Sequence, residues 1–299
     1  MAAVCFFWGT TYLGIRVALE AFSPVQLVAT RYFISGSLML VVAKFLKVHL
    51  PSGRELFFTA LFGVMILGAG NGCLAFAEAL IPSGLAAIFI TVSPFWMVGF
   101  EALLPGGVGL HGPTIAGMTV GLLGTVLLVG PSAIQSGFGG PVLSGFFLLQ
   151  FGSAGWSLGS ILQRRYPTRA HPVVSGAVQQ LATGMVYSIW ALLAPATPIH
   201  WTPRSLGAVL YLVVFGSIVG YSAYLYALEH LPVSVVSIYN YVNPIVAVFL
   251  GWLFFRESFG VREILAMCVI FAGVALVKRF SAARAIAQAA AAADRYTRA

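Results

Sequence analysis

Charge is what this sequence has least of. Asp, Glu, Lys and Arg make up 8% of its 299 residues, against roughly 25% in an ordinary soluble domain. The shortage is sharpest for acids, eight against sixteen basic residues. Glu20, Glu78, Glu101, Glu229, Glu257 and Glu263 fall near expected helix ends, and Glu55 and Asp294 in a loop and the tail. With no carboxylate or histidine expected in the middle of a span, the usual proton- or sodium-coupling group is missing, and movement of a solute down its own gradient is the expectation. The three cysteines, Cys5, Cys73 and Cys268, lie far apart in apolar runs, which argues against a disulfide framework or a metal motif. The five histidines show no ligand spacing, and the chain has no HExxH, phosphate-binding loop, Gly-x-Ser-x-Gly elbow or paired-carboxylate cluster. No catalysis, no cofactor and no built-in ATPase are therefore expected.

What is present is apolar length. Hydrophobic residues account for 60% of the chain, in runs of about 20 residues separated by short Pro/Gly breaks, as in a polytopic helical membrane protein. Ten spans are expected, near residues 2–20, 26–46, 56–79, 84–104, 113–130, 142–163, 172–193, 205–228, 231–255 and 261–278. A linker over Pro131–Pro141 and a basic, Ala-rich tail from Arg279 to Ala299 complete the chain. The first run lacks the basic leader and cleavage site of a signal peptide.

The chain also repeats itself. The stretch LPVSVVSIYNYVNP, Leu231 to Pro244, has a counterpart in IPSGLAAIFITVSP, Ile81 to Pro94, and in each two prolines stand twelve residues apart, at an offset of 150. Trp8, Arg16, Pro24 and Gly36 fall on Trp156, Arg164, Pro172 and Gly184 at 148, Gly124 on Gly273 at 149, and Asn71 on Tyr221 at 150. Registers that drift so little along the chain indicate a duplicated unit, residues 1–135 and 141–280, with 281–299 as a tail. Lys44, Lys47, Arg54, Arg164, Arg165, Arg169, Lys278, Arg279, Arg284, Arg295 and Arg298 would lie on one side, against Arg204, Arg256 and Arg262 on the other. This asymmetry puts both termini in the cytoplasm. Five helices per unit then require the second copy to enter the membrane upside down. The expected fold class is all-α, ten transmembrane helices as two inverted five-helix repeats, an architecture that builds a midplane solute site.

Polar and aromatic residues at depth are the site candidates, because an unpartnered polar group in hydrocarbon costs several kcal/mol. Tyr239, Asn240 and Asn243 share one helical face. Tyr221 and Tyr224, Asn71, Tyr12 and Trp156 complete the expected substrate-binding set, with Trp8 paired to Trp156 by the repeat. Aromatic faces and amides suit a zwitterionic or aromatic small solute. The competing reading makes the rings interfacial belts and the amides helix glue. Arg16 and Arg31 are expected near the outer face, within reach of it by snorkelling, with attraction of an anionic group as the alternative role. Gly117/Gly121, Gly155/Gly159 and Gly216/Gly220 form small-xxx-small pairs, read as packing inside the bundle, and a monomer is expected.

Several local patterns carry a family likeness: Phe6-Phe-Trp-Gly-Thr, Phe76-Ala-Glu-Ala-Leu-Ile-Pro-Ser-Gly-Leu-Ala-Ala, Tyr226-Ala-Leu-Glu-His-Leu-Pro-Val-Ser, and Asn243-Pro244 followed by Leu253-Phe-Phe-Arg-Glu-Ser. In order and spacing they resemble the drug/metabolite transporter superfamily in its ten-helix EamA-type branch, over about residues 1–280. Leu103-Leu-Pro-Gly-Gly-Val departs from the pattern, lacking the Glu that Glu257 supplies in the second unit. The resemblance implies a bacterial inner-membrane carrier that exports amino acids, aromatic ones included, or other small metabolites, in contact with lipid and not with nucleic acid. A nucleotide-sugar, sugar-phosphate or cationic-drug carrier of the same fold is the alternative, and an intramembrane enzyme acting on lipid a more distant one.

Overall fold

The computed structural model describes residues 2–46, 48–107, 109–136, 140–166, 168–195, 197–230, 239–257 and 259–297. Its described secondary structure is entirely helical, in ten rods. These are α1 (Ala2–Ala18), α2 (Pro24–Leu46), α3 (Gly53–Glu78), α4 (Ser83–Leu103), α5 (Gly112–Ser136), α6 (Pro141–Arg165), α7 (Pro172–Leu193), α8 (Pro203–His230), α9 (Tyr239–Phe255) and α10 (Val261–Thr297). The stretch expected to open the ninth span, residues 231–238, lies outside the described residues.

Helix starts follow local chemistry. Pro occupies the first turn of α6, α7 and α8, where its missing N–H costs nothing. Thr202 and Ser205 close a reciprocal capping box at the start of α8, satisfying donors that hydrocarbon would leave bare. Two boundaries differ from expectation. α5 runs through Pro131 to Ser136, so the helix consumes half of the expected linker. α10 continues through the Ala-rich tail to Thr297, as the high helix propensity of alanine favours.

Four rods or stretches of them are long and apolar enough to cross a bilayer: Pro24–Phe45, Gly53–Glu78, Ser83–Leu103 and Pro203–Ala227. α6 and α7 have the length but dilute it with Gln150, Ser153, Ser157, Ser160, Ser175, Gln179, Gln180 and Thr183, all buried within the bundle. Large apolar side chains such as Phe45, Phe147, Leu192 and Trp252 point outward. Such a surface is stable against lipid and not against water.

Packing runs across the chain more than along it. α2 lies along α7 and α5 along α10, while α1 contacts α8 and α9, and α6 contacts α3 and α4. The α2–α7 crossing is reciprocal: a methyl on Gly36 would collide with the backbone of Leu181, and one on Gly184 with the backbone of Phe33. At the α5–α10 crossing Gly124 lies against Ile270 and Gly273 against Gly121 in the same way. The two crossings obey the 148 and 149 registers of the sequence. The small-xxx-small pairs likewise pack within the bundle, Gly155 and Gly159 on α3 and Gly216 and Gly220 on α1.

α3 and α8 each contain a π-helical stretch, Val64–Asn71 and Leu212–Val219, at matching positions 148 residues apart. These wider turns cluster at functional sites in helical proteins. Here they bring Gly68 and Gly216 to equivalent places. The Gly68 carbonyl accepts from Tyr187 Oη at 2.8 Å, and the Gly216 carbonyl from Trp8 Nε1 at 3.2 Å.

Candidate functional site

A cavity enclosing about 730 Å³ of atom-free space, including its open mouth, lies between the π-helical stretches and is lined from α1, α2, α3, α4, α6, α8 and α9. Six of the eight expected residues line it: Tyr12, Asn71, Trp156, Tyr221, Tyr239 and Asn243. Tyr224 stands directly behind, its ring 4.9 Å from Trp8 and 5.6 Å from Trp156. The side chain of Asn240 lies outside the described residues.

The rings form one cluster. Trp8 meets Trp156 edge-on at 5.6 Å and Tyr239 edge-on at 5.1 Å, and Tyr224 lies 5.9 Å from Tyr239. Trp8 donates to the Gly216 carbonyl and packs on Gly220 of α8, and Trp156 packs on Gly70 of α3. Each tryptophan uses a glycine gap in the other half, so both indoles converge on the cavity. These rings sit in the bundle interior, where an interfacial-belt role does not apply.

Asn243 combines both of the roles considered for it. It lines the cavity, and with its amide nitrogen facing acceptors it donates to the carbonyls of Cys5 (3.1 Å) and Tyr239 (3.3 Å), tying α9 to α1. Ser93 and Ser153 share a hydrogen bond of 3.1 Å at the α4–α6 wall.

Arg31 is placed differently from its expectation. It does not snorkel outward: it is 5% exposed, lines the cavity, and donates from Nε to Ser217 Oγ at 2.7 Å. The π-helical turn of α8 presents that hydroxyl one residue after the glycine that holds Trp8. Sequence position suggested a helix-end cation, whereas packing of α2 against α7 and α8 turns the residue inward. Tyr32, unmarked by sequence reasoning, also lines the cavity.

At the end of the bundle where α3 meets α4, polar contacts tie the halves together. Glu257 accepts from Ser83 N and Oγ, both at 3.0 Å, and from Gly84 N at 3.1 Å. A carboxylate from the second half thereby caps a first-half helix. Arg16 Nη1 donates to the Glu78 carbonyl at 2.6 Å. Glu78 itself is wholly buried, and neither carboxylate oxygen has a partner among the described residues. At the opposite end Arg165 of α6 pairs with Glu101 of α4 at 3.1 Å and donates to the Pro105 carbonyl at 2.8 Å.

An all-helical bundle with a lipid-facing apolar surface and a central cavity walled by both halves describes a polytopic membrane transporter. Residues 1–130 and 143–279 each match the EamA-like transporter family, and the chain belongs to that family, within the drug/metabolite transporter superfamily. The chain is 33% identical over 278 residues, 92% of its length and 88% of the relative's, to an uncharacterized inner membrane transporter, YedA, of Escherichia coli strain K12. It is 23% identical over 284 residues, 91% of its length and 90% of the relative's, to a probable terminal-alkyne amino-acid exporter of Streptantibioticus cattleyicolor. A solved crystal structure superposes with a TM-score of 0.68 at 22% identity, covering 93% of this chain and 95% of that one, which supports the fold alone.

Proposed function

We propose that this transporter exports small amino-acid-like metabolites, aromatic ones included, across the bacterial inner membrane by alternating access, as a monomer with both termini in the cytoplasm and without catalysing a reaction. The two family matches would then be inverted repeats, each with its own five helices. The observation that carries the reading is the central cavity. It draws on both halves, is walled by aromatic rings and amides, and sits between two matched π-helical stretches. Reciprocal crossings such as Gly36–Leu181 with Gly184–Phe33 are what a two-fold relation between halves produces. Rocking of one half against the other around a fixed site is the corresponding motion. The amino-acid class draws further support from the exporter relative.

The test is uptake by proteoliposomes of a mixed amino-acid pool, read by mass spectrometry with and without an imposed pH gradient. Entry of Phe, Thr or Met without a gradient supports a facilitative amino-acid carrier. Entry of a nucleotide sugar or a cationic drug and no amino acid overturns the substrate class, and entry of no solute at all overturns transport. A second reading, proton coupling, is favoured by one observation: the buried and unpartnered carboxylate of Glu78. Uptake that collapses without the gradient, and no longer responds to it in Glu78→Gln, would select that reading.

A further inference from the structure

The cavity lining contains one cation, Arg31, and no carboxylate. The guanidinium uses its Nε on Ser217, while Nη1 and Nη2 have no acceptor among the described residues. None of the ion pairs formed by those residues involves Arg31. The buried Glu78 carboxylate acts on Arg31 electrostatically but forms no ion pair or hydrogen bond with it. A buried charge so incompletely compensated is costly, and the Arg31 Nη donors stay available to a ligand. A guanidinium with two free Nη groups matches a carboxylate in bidentate geometry.

A second observation points the same way. The Tyr32 hydroxyl is buried in the same wall and has no hydrogen-bond partner among the described residues. The Arg31 guanidinium carbon lies 4.9 Å from the Tyr32 ring centre. Gly216 then joins the charged and aromatic parts of the cavity. Its carbonyl holds Trp8, and a methyl added to it would lie 2.8 Å from Arg31 Nη2. A cation, a free phenol and an aromatic cluster thus adjoin one another within a single small cavity.

We propose that Arg31, assisted by the Tyr32 hydroxyl, binds the carboxylate of the transported solute, whose apolar or aromatic part lies against Trp8, Trp156 and Tyr239. This rests on the carrier reading above and narrows it: the substrate bears one carboxylate, and an α-ammonium group is tolerated but not required. One guanidinium balances one negative charge, so a phosphate dianion would leave charge unpaired in a largely apolar cavity. A net cation would meet Arg31 with like charge and no carboxylate in the described lining.

The test compares four probes on the purified full-length protein by isothermal titration calorimetry: phenylalanine, 3-phenylpropionate, phenylalaninamide and glucose 6-phosphate. The expected result is binding of the first two, with the amide and the phosphate at least tenfold weaker. In Arg31→Gln the acids lose about tenfold or more in affinity while the amide does not, and Arg31→Lys recovers part of the loss. The wild-type ranking needs no variant, so it decides the matter even where Arg31→Gln does not fold. Amide binding as tight as acid binding, phosphate as the tightest ligand, none of the four binding, or unaltered acid affinity in a folded Arg31→Gln each overturns the inference. Uptake of a broad metabolite pool by liposomes separates the two levels. If solutes move but none bears a carboxylate, the inference falls and the carrier stands; if nothing moves, the carrier reading itself falls.

Discussion

The two halves use the same scaffold for unequal chemistry. At the 148 register, Arg31 of α2 corresponds to Gln179 of α7. Gln179 is fully engaged: its Oε1 accepts from Tyr221 Oη at 2.6 Å and its Nε2 donates to Gln163 at 3.1 Å. Arg31 keeps most of its donors unspent. A similar contrast holds at the helix ends. Glu257 caps α4, but the equivalent position 150 residues earlier is Gly107, where any side chain would run into the carbonyl of Glu101. The packing glycines are shared between halves, while Arg31 and Glu257 have no charged counterpart at these registers. On the proposed reading, duplication accounts for the frame, and the departures from it would mark where the solute and the closing contacts are handled.

The comparison is most severely tested at the shared crossing. Gly36→Leu or Gly184→Leu forces a side chain into opposing backbone, and either variant is expected to lose the monodisperse folded peak in size-exclusion chromatography. The milder Gly36→Ala and Gly184→Ala each cost about 1–3 kcal/mol. If the crossing is two-fold, the two alanine variants match in thermal stability; a large disparity would break the correspondence. Removing the cap with Glu257→Ala takes away three hydrogen bonds to a charged acceptor at a helix start, each worth about 1.5–3 kcal/mol in a series of single deletions, so a clear drop in melting temperature is expected.

The unequal pair comes next. Gln179→Arg buries a second cation and breaks two hydrogen bonds, and it lowers the melting temperature. Arg31→Gln removes a buried charge that forms no ion pair among the described residues while retaining a donor for Ser217, so stability holds or rises even as acid binding is lost. A matching fall in both would mean Arg31 is structural. The smallest effect is expected from Tyr187→Phe, which loses the bond to Gly68 for about 1 kcal/mol and leaves uptake unchanged.

Much of this was legible because period and composition are enough for it. Apolar runs gave the rods, and Trp8/Trp156 and Gly36/Gly184 gave registers that reappear as reciprocal contacts. The aromatic and amide candidates were found because such groups are conspicuous in hydrocarbon. Arg31 was mistaken for a helix-end cation because depth along a helix says nothing of which neighbour it faces. The π-helical turns were invisible, since Val64–Asn71 and Leu212–Val219 are largely apolar stretches with nothing in their sequence to distinguish a wider turn. Tyr32 carried no mark in the sequence; it is distinguished by a buried hydroxyl with no partner among the described residues.

The tryptophans have an optical consequence. Of the six in the chain, Trp96, Trp190, Trp201 and Trp252 are exposed on the outside of the bundle, whereas Trp8 and Trp156 are half-buried at the cavity with their rings 5.6 Å apart. Brominated lipid will quench the outer four and spare the inner two. The remaining emission comes from the indole pair lining the cavity, against which the proposed solute would lie. The molecule therefore carries its own reporter of occupancy, readable in a bilayer without a label.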